Sequence, residues 1–310
     1  MIFHLFLVVI GLVFLSLGAN WLVQSAGFLA VRVGMPPFLI GLTIIGYGTS
    51  APELLVGLHA AAGSHPEIAT ANIIGSNILN TSWILGMGLC LCPTSCGKKL
   101  RYVDAPFMLF CSVWLLSGKY VEVGLLQGGI LLGALFLFTF GSYRFSKNNP
   151  TEQRLSTKKR WSPPVCVLLL LLGFILLIYG AELFLEGSVR MARLLGVSDV
   201  FIGLTLASIG TSLPELATTL AAAMRKQPLL AVGGIIGSNI YNTLGIVGTI
   251  SLFYPLSFAS ISSIDFSVML GLNLLFSGML IFSPRLGRGL GAMLCSTYCL
   301  YLSFLWWSAL

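Results

Sequence analysis

Only 10 of the 310 residues are Asp or Glu, and two of these stand where a carboxylate is most costly. Glu53 and Glu215 each sit in the middle of an apolar stretch, and each ends the same string, Thr-Ser-x-Pro-Glu. A charge at bilayer depth costs about 2.5–3.5 kcal/mol on insertion scales. Neither string contains a Lys or Arg, so the natural partner is a bound cation or a proton. On a helix, residues three and four apart share a face. Thr49 and Ser50 are therefore expected beside Glu53, and Thr211 and Ser212 beside Glu215. Pro52 and Pro214 lack an N–H and crowd the preceding turn. They should free the carbonyls of Gly48 and Gly210 and strain the turns around Gly46 and Ser208. Carbonyls exposed by a broken membrane helix can bind cations where they line a cavity.

A second string occurs twice as well. NIIGSNILNT (72–81) and GIIGSNIYNT (234–243) place Ser76 with Asn80, and Ser238 with Asn242, four residues apart. Gly75 and Gly237 permit close helix approach. Asn77 and Asn239 are read as supporting hydrogen-bonders. All the candidate groups are hard oxygens, with no His or Cys in the strings. Such sites suit Ca²⁺, Na⁺ or Mg²⁺ rather than Zn²⁺ or copper. Ca²⁺ takes about 6–8 oxygens in irregular geometry. Two carboxylates neutralise one Ca²⁺ or two monovalent ions, which is the electrostatic basis for exchange.

The elements that must position these residues span a membrane. Charged residues are 9 % of the chain, hydrophobic residues 56 %, and mean hydropathy is +0.95. A soluble protein of this size cannot cover its surface with so few charges. A cytosolic enzyme, a disordered protein and a nucleic-acid binder are excluded. Apolar stretches at 2–28, 37–60, 67–91, 103–117, 121–143, 164–188, 200–223, 229–254, 264–283 and 288–308 predict an all-α polytopic membrane protein with ten transmembrane helices. The first stretch resembles a signal-peptide core but lacks a basic flank, and the repeat needs it as a true span.

The basic stretch 144–163 divides the chain. Residues 1–143 form one five-helix unit, with its repeat motif at 37–91. Residues 164–310 form the other, with its motif at 200–254. GLTIIGYGTSAPE (41–53) and GLTLASIGTSLPE (203–215) match at eight of thirteen positions, at an offset of 162. An odd number of spans per unit makes the two copies cross in opposite senses. This is the inverted repeat of secondary transporters, with the substrate site at the midplane. With both termini outside and the 144–163 linker cytoplasmic, fourteen of the seventeen Lys and Arg lie inside, as the positive-inside rule asks.

The paired strings GTSAPE…GSNILNT and GTSLPE…GSNIYNT, with GAELFLEGSVRMARLLGVSDVFIG before the second, resemble the alpha-repeats of the sodium/calcium exchanger family, within the cation/Ca²⁺ exchanger superfamily. The resemblance covers nearly the whole chain. It implies ion binding between helices 2, 3, 7 and 8, with helices 1 and 6 as a gating pair. The implied ligands are Glu53, Glu215, Thr49, Thr211, Ser50, Ser212, Ser76, Ser238, Asn80 and Asn242, with carbonyls from Gly46 and Ser208. Well-studied members carry Asp where this chain has Asn242, and often Ala where it has Gly46 and Ser208. The large cytoplasmic regulatory loop of animal members is missing, as in prokaryotic-type members.

The expectation is an antiporter exchanging Ca²⁺ for Na⁺ by alternating access, in a plasma or bacterial inner membrane. A Ca²⁺/H⁺ antiporter using the same glutamates is the alternative. No catalytic residue and no cofactor is expected, only transported ions and the lipid bilayer, and a monomer would suffice. A channel would show a polar stripe along a helix, whereas the polar groups here gather at one depth. A serine hydrolase would need an asymmetric base, whereas the hydroxyls and acids here are duplicated. Glu182, Glu186 and His59 are read as interfacial residues, and Trp306 and Trp307 as an interfacial anchor.

Overall fold

The computed structural model describes residues 1–148, 162–195 and 208–308, almost wholly helical. The helices are α1 (Ile2–Val33), α2 (Pro37–Ala62), α3 (Pro66–Leu91), α4 (Leu100–Ser117), α5 (Leu125–Asn148), α6 (Pro163–Leu194), α7, α8 (Pro228–Ser251), α9 (Ser263–Phe282) and α10 (Arg288–Ser308). The described part of α7 has two pieces, Ser208–Thr211 and Leu213–Met224. Among the described residues, nine helices are long and apolar enough to cross a membrane. The first third of the span expected at 200–223 (residues 200–207) and most of the 144–163 linker lie outside the described residues.

Proline opens α2, α3, α6 and α8 at the first helical position, where a missing N–H costs nothing. Gly34 ends α1 in the left-handed conformation, with φ at 70°. α1 and α6 extend past the expected 28 and 188 to Val33 and Leu194. They run antiparallel along a glycine seam. A Cβ on Gly11 would meet Phe184 N at 2.6 Å, and one on Gly18 would meet Gly173 O at 2.8 Å. In lipid, such close backbone approach is a main source of helix association. α8 is the inner helix, with almost every residue buried. A Cβ on Gly237 would lie 2.0 Å from Leu42 O, so only glycine lets α8 touch α2 there.

Two short backbone pairings tie loops at the helix ends. Thr94–Ser95 (β1), after α3, pairs antiparallel with Arg285–Leu286 (β2), before α10. Leu256, after α8, pairs with Val123, before α5. Thr94 and Leu256 differ by the 162-residue offset, so each pairing is the pseudo-symmetric counterpart of the other.

Lys99, one of the basic residues counted on the inner side, is buried at the start of α4. It is 6 % exposed, and Nζ donates to Asp104 at 2.5 Å and to Ser142 Oγ at 3.2 Å. Phe38 and Phe138 cover the ammonium at 5.7 and 5.9 Å. These apolar flanks close over the pair, joining α4 to α5. Removing one member strands the other as a buried charge, which costs about 3–5 kcal/mol. Lys99→Ala should therefore lower the thermal midpoint sharply, measured by fluorescence-detected unfolding. A midpoint within about a degree of the wild type would show that the pair is not buried in the membrane-embedded protein.

Candidate ion-binding site

Each motif proline breaks the helix closer to itself than the expected strain at Gly46 and Ser208. Ser50 leaves the helix (φ −81°, ψ 9°), and a new helical piece starts at Ala51. Ser212 does the same (φ −90°, ψ 8°) before Leu213. Glu53 and Glu215 are thus not mid-helix, as the periodicity suggests. Each lies in the first turn of a half-helix, where the free N–H groups and the helix dipole favour negative charge. Single π-helical turns add further breaks at Gly41–Ile45, Asn80–Ile84 and Asn242–Ile246. Asn80 and Asn242 each open one of these turns. Such bulges interrupt the regular ladder and are frequent at functional sites. Nothing in the hydrophobic pattern marks them.

The two halves exchange hydrogen bonds with each other. Ser50 Oγ donates to Glu215 Oε1, and Ser212 Oγ donates to Glu53 Oε1, both at 3.1 Å. Ser76 Oγ lies 3.5 Å from Glu53 Oε1, and Ser238 Oγ lies 3.4 Å from Glu215 Oε1. Asn80 Nδ2 donates to Asn239 Oδ1, and Asn242 Nδ2 to Asn77 Oδ1, both at 3.1 Å. Thr49 donates to Ile45 O at 3.0 Å and lies beside Glu215, while Thr211 donates to Asn72 Oδ1 at 3.2 Å. Ser50 and Ser212 therefore serve the glutamate of the other half, and Ser76 and Ser238 lie against the glutamate of their own. All these side chains are buried.

Eleven of the twelve expected ligand residues gather here. The side chain of Ser208 lies outside the described residues. The Gly46 carbonyl is already engaged, by Ser50 N at 3.3 Å and by Ser238 Oγ at 3.0 Å. Asn72 is a neighbour that the motif reading overlooked. The signal was weak, because its counterpart at the 162-residue offset is Gly234.

At this site four buried oxygens remain without a donor among the described residues: Glu53 Oε2, Glu215 Oε2, Asn80 Oδ1 and Asn242 Oδ1. They form two pseudo-symmetric pairs. Leaving a buried acceptor unsatisfied costs about 1–3 kcal/mol, and more when it is charged. The two carboxylates also lie within electrostatic reach of each other. Among the described residues, no three His, Cys, Asp or Glu side chains converge. The groups are hard and neutral oxygen donors around two acids, a set that fits alkali or alkaline-earth cations.

The family model described as "Sodium/calcium exchanger protein" matches residues 3–144 and 165–307. The chain belongs to the sodium/calcium exchanger family. It is 32 % identical to the inner membrane protein YrbG of Escherichia coli, over 97 % of this chain and 96 % of that protein. It is 31 % identical to the sodium/calcium exchanger MaX1 of Methanosarcina acetivorans, over 97 % and 98 % of the two chains. A structure of the sodium-calcium exchanger NCX_Mj, soaked with Na⁺ and Ca²⁺, superposes with a TM-score of 0.86 at 29 % identity, covering 98 % of each chain. This exchanger-family chain is an integral membrane protein of the all-helical, polytopic kind.

Outside the site, the interfacial candidates behave as surface groups. Glu186 accepts from Arg190 Nε at 3.1 Å, one turn away, with both side chains about half exposed. Such exposed pairs contribute little to stability.

Proposed function

We propose that this family member exchanges Ca²⁺ for Na⁺ across the membrane by alternating access, with the ions held between α2, α3, α7 and α8. The observation that carries the reading is the set of four donor-free oxygens, two of them carboxylate, at the pseudo-two-fold centre. The ligands on this reading are the Glu, Thr, Ser and Asn side chains of the two motif pairs. The Gly46 carbonyl joins if Ser238 turns away, and the Ser208 carbonyl completes the pair. One Ca²⁺ or two Na⁺ neutralises the two glutamates, so either load can cross a low-dielectric barrier that the bare carboxylates cannot. The transport names carried by MaX1 and NCX_Mj support the same cargo.

A cavity of about 490 Å³ between α1 and α7 supports the access step. It extends from Leu213, next to Ser212, to Arg225 at the end of α7. Arg225 donates there to Asn20 Oδ1 of α1. The charge distribution supports both termini outside, with the 144–163 linker in the cytoplasm. A bacterial inner or plasma membrane is the matching location.

The test is ⁴⁵Ca²⁺ uptake into proteoliposomes loaded with Na⁺ and diluted into choline, with a pH gradient as a parallel arm. Uptake is expected from the Na⁺ gradient. Uptake only from the pH gradient would make the protein a Ca²⁺/H⁺ antiporter on the same glutamates. No uptake in either arm from folded protein would reject both.

A further inference from the structure

Asn77 and Asn239 occupy the same place in the two halves but are held differently. Asn239 accepts Asn80 Nδ2 on its Oδ1, and its own Nδ2 donates to Thr81 Oγ1 at 2.6 Å. Thr81 donates to Asn273 Oδ1 at 3.0 Å, and Asn273 Nδ2 donates to Ser112 Oγ at 2.7 Å. Ser112 donates to the Met108 carbonyl at 3.1 Å, which ends the line on α4. Every member is buried. In the other half, Asn77 accepts from Asn242, and its Nδ2 has no acceptor among the described residues. Thr243, the counterpart of Thr81, donates instead into its own helix, to Asn239 O at 3.1 Å. At the 162-residue offset the counterpart of Asn273 is Cys111, and that of Ser112 is Leu274. Neither can continue the line.

An asparagine amide has one acceptor and one donor end, and a neighbour decides which way it faces. Thr81 gives its only proton to Asn273, so toward Asn239 it can only accept. Asn239 must then present Nδ2 to Thr81 and Oδ1 to Asn80. Asn80 must in turn present Nδ2 to Asn239, which leaves its Oδ1 for an ion. The orientation is set mainly from α4 and α9, and two longer contacts of Asn239 Nδ2, to the Asn77 carbonyl at 3.5 Å and to Met108 Sδ of α4 at 3.7 Å, agree with it. Asn242 lacks this constraint, because among the described residues the Asn77 amide is anchored only by Asn242 itself.

We propose that Asn273 is a positioning residue for ion binding. Acting through Thr81 and Asn239, it fixes the Asn80 amide with Oδ1 toward the ions and makes the Asn80 half of the site stiffer than the Asn242 half. The proposal rests on the reading of Asn80 as a ligand. Supporting residues of this kind are worth about 10–100-fold in metal affinity.

The experiment is Ca²⁺ titration calorimetry on the purified full chain in Na⁺-free buffer, with the thermal midpoint recorded for each variant. Asn273→Leu and Thr81→Val should each weaken Ca²⁺ about tenfold. Thr81→Ser keeps the hydroxyl and should bind as the wild type does. In an Asn80→Ala background, Asn273→Leu should add nothing, because the residue through which it acts is gone. A merely structural role predicts the opposite: the same weakening with or without Asn80. That result, or a Thr81→Ser variant as weak as Thr81→Val, would overturn the proposal. So would Asn273→Leu binding like the wild type while Asn80→Ala is weakened. Wild-type affinity in Asn80→Ala itself would instead reject Asn80 as a ligand, and the proposal with it.

Discussion

Glutamine at position 53 or at position 215 should abolish exchange, with a loss of at least about 100-fold in Na⁺-driven ⁴⁵Ca²⁺ uptake. Each carboxylate has one oxygen held by serines and one with no donor among the described residues. Glutamine keeps the volume and the acceptor, and the serine hydroxyls can rotate to accept its N–H groups, so the fold should survive. It cannot neutralise a cation. Removing one charge from a buried ion pair costs about 3–5 kcal/mol, and each 1.4 kcal/mol is tenfold in affinity. Because the two glutamates are related by pseudo-symmetry, both substitutions should hurt alike. Either variant retaining a tenth of the wild-type rate, with a normal thermal midpoint, would remove that glutamate from the ligand set.

Much of this site was legible because the chain states it twice. A single Thr-Ser-x-Pro-Glu reads equally well as a proline kink. Its recurrence 162 residues later, in a unit with an odd number of spans, places both copies at one depth with opposite sense. What failed was the inference from helical phase. The i, i+3 rule puts Ser50 beside Glu53, whereas Ser50 Oγ donates to Glu215 of the other half. The helix bends at Ser50 itself, at ψ 9°, so the phase shifts at the residue where it was applied. The π-helical turns at Asn80 and Asn242 leave no trace in the apolar pattern, since nearly every residue around them is buried. Asp104 was hidden by its partner, because a lysine next to an apolar span reads as a loop charge. Asn273 lies outside both motifs and has no counterpart in the other half, so the device that exposed the glutamates could not expose it.

That asymmetry separates two substitutions that look equivalent. Asn242→Asp should keep Ca²⁺ transport and change its coupling. With two formal charges, one Ca²⁺ and two Na⁺ are electrically equal loads, and exchange between them moves no net charge. A third carboxylate leaves the Ca²⁺-loaded site at −1 and favours a third monovalent ion on the return. The Na⁺ dependence should become steeper by about one ion, and uptake should respond to a potential clamped with K⁺ and valinomycin. The structure can accommodate the charge. The introduced carboxylate would face Asn77 Oδ1, but Asn77 Nδ2 lacks an acceptor among the described residues. A half-turn of that amide replaces a repulsion with a charge-assisted hydrogen bond. At position 80 the same change meets Asn239, whose amide is held by Thr81 and Asn273 with its oxygen forward. Asn80→Asp should therefore set two acceptors against each other in a dry interior, where an unpaired charge is most costly. It should lower both the thermal midpoint and uptake, and adding Asn273→Leu should recover part of each by freeing the Asn239 amide to turn. Equal tolerance of Asp at 80 and 242 would mean that the line through Asn273 imposes no orientation on the site. Potential-independent uptake by Asn242→Asp would mean that charge neutrality does not set the load.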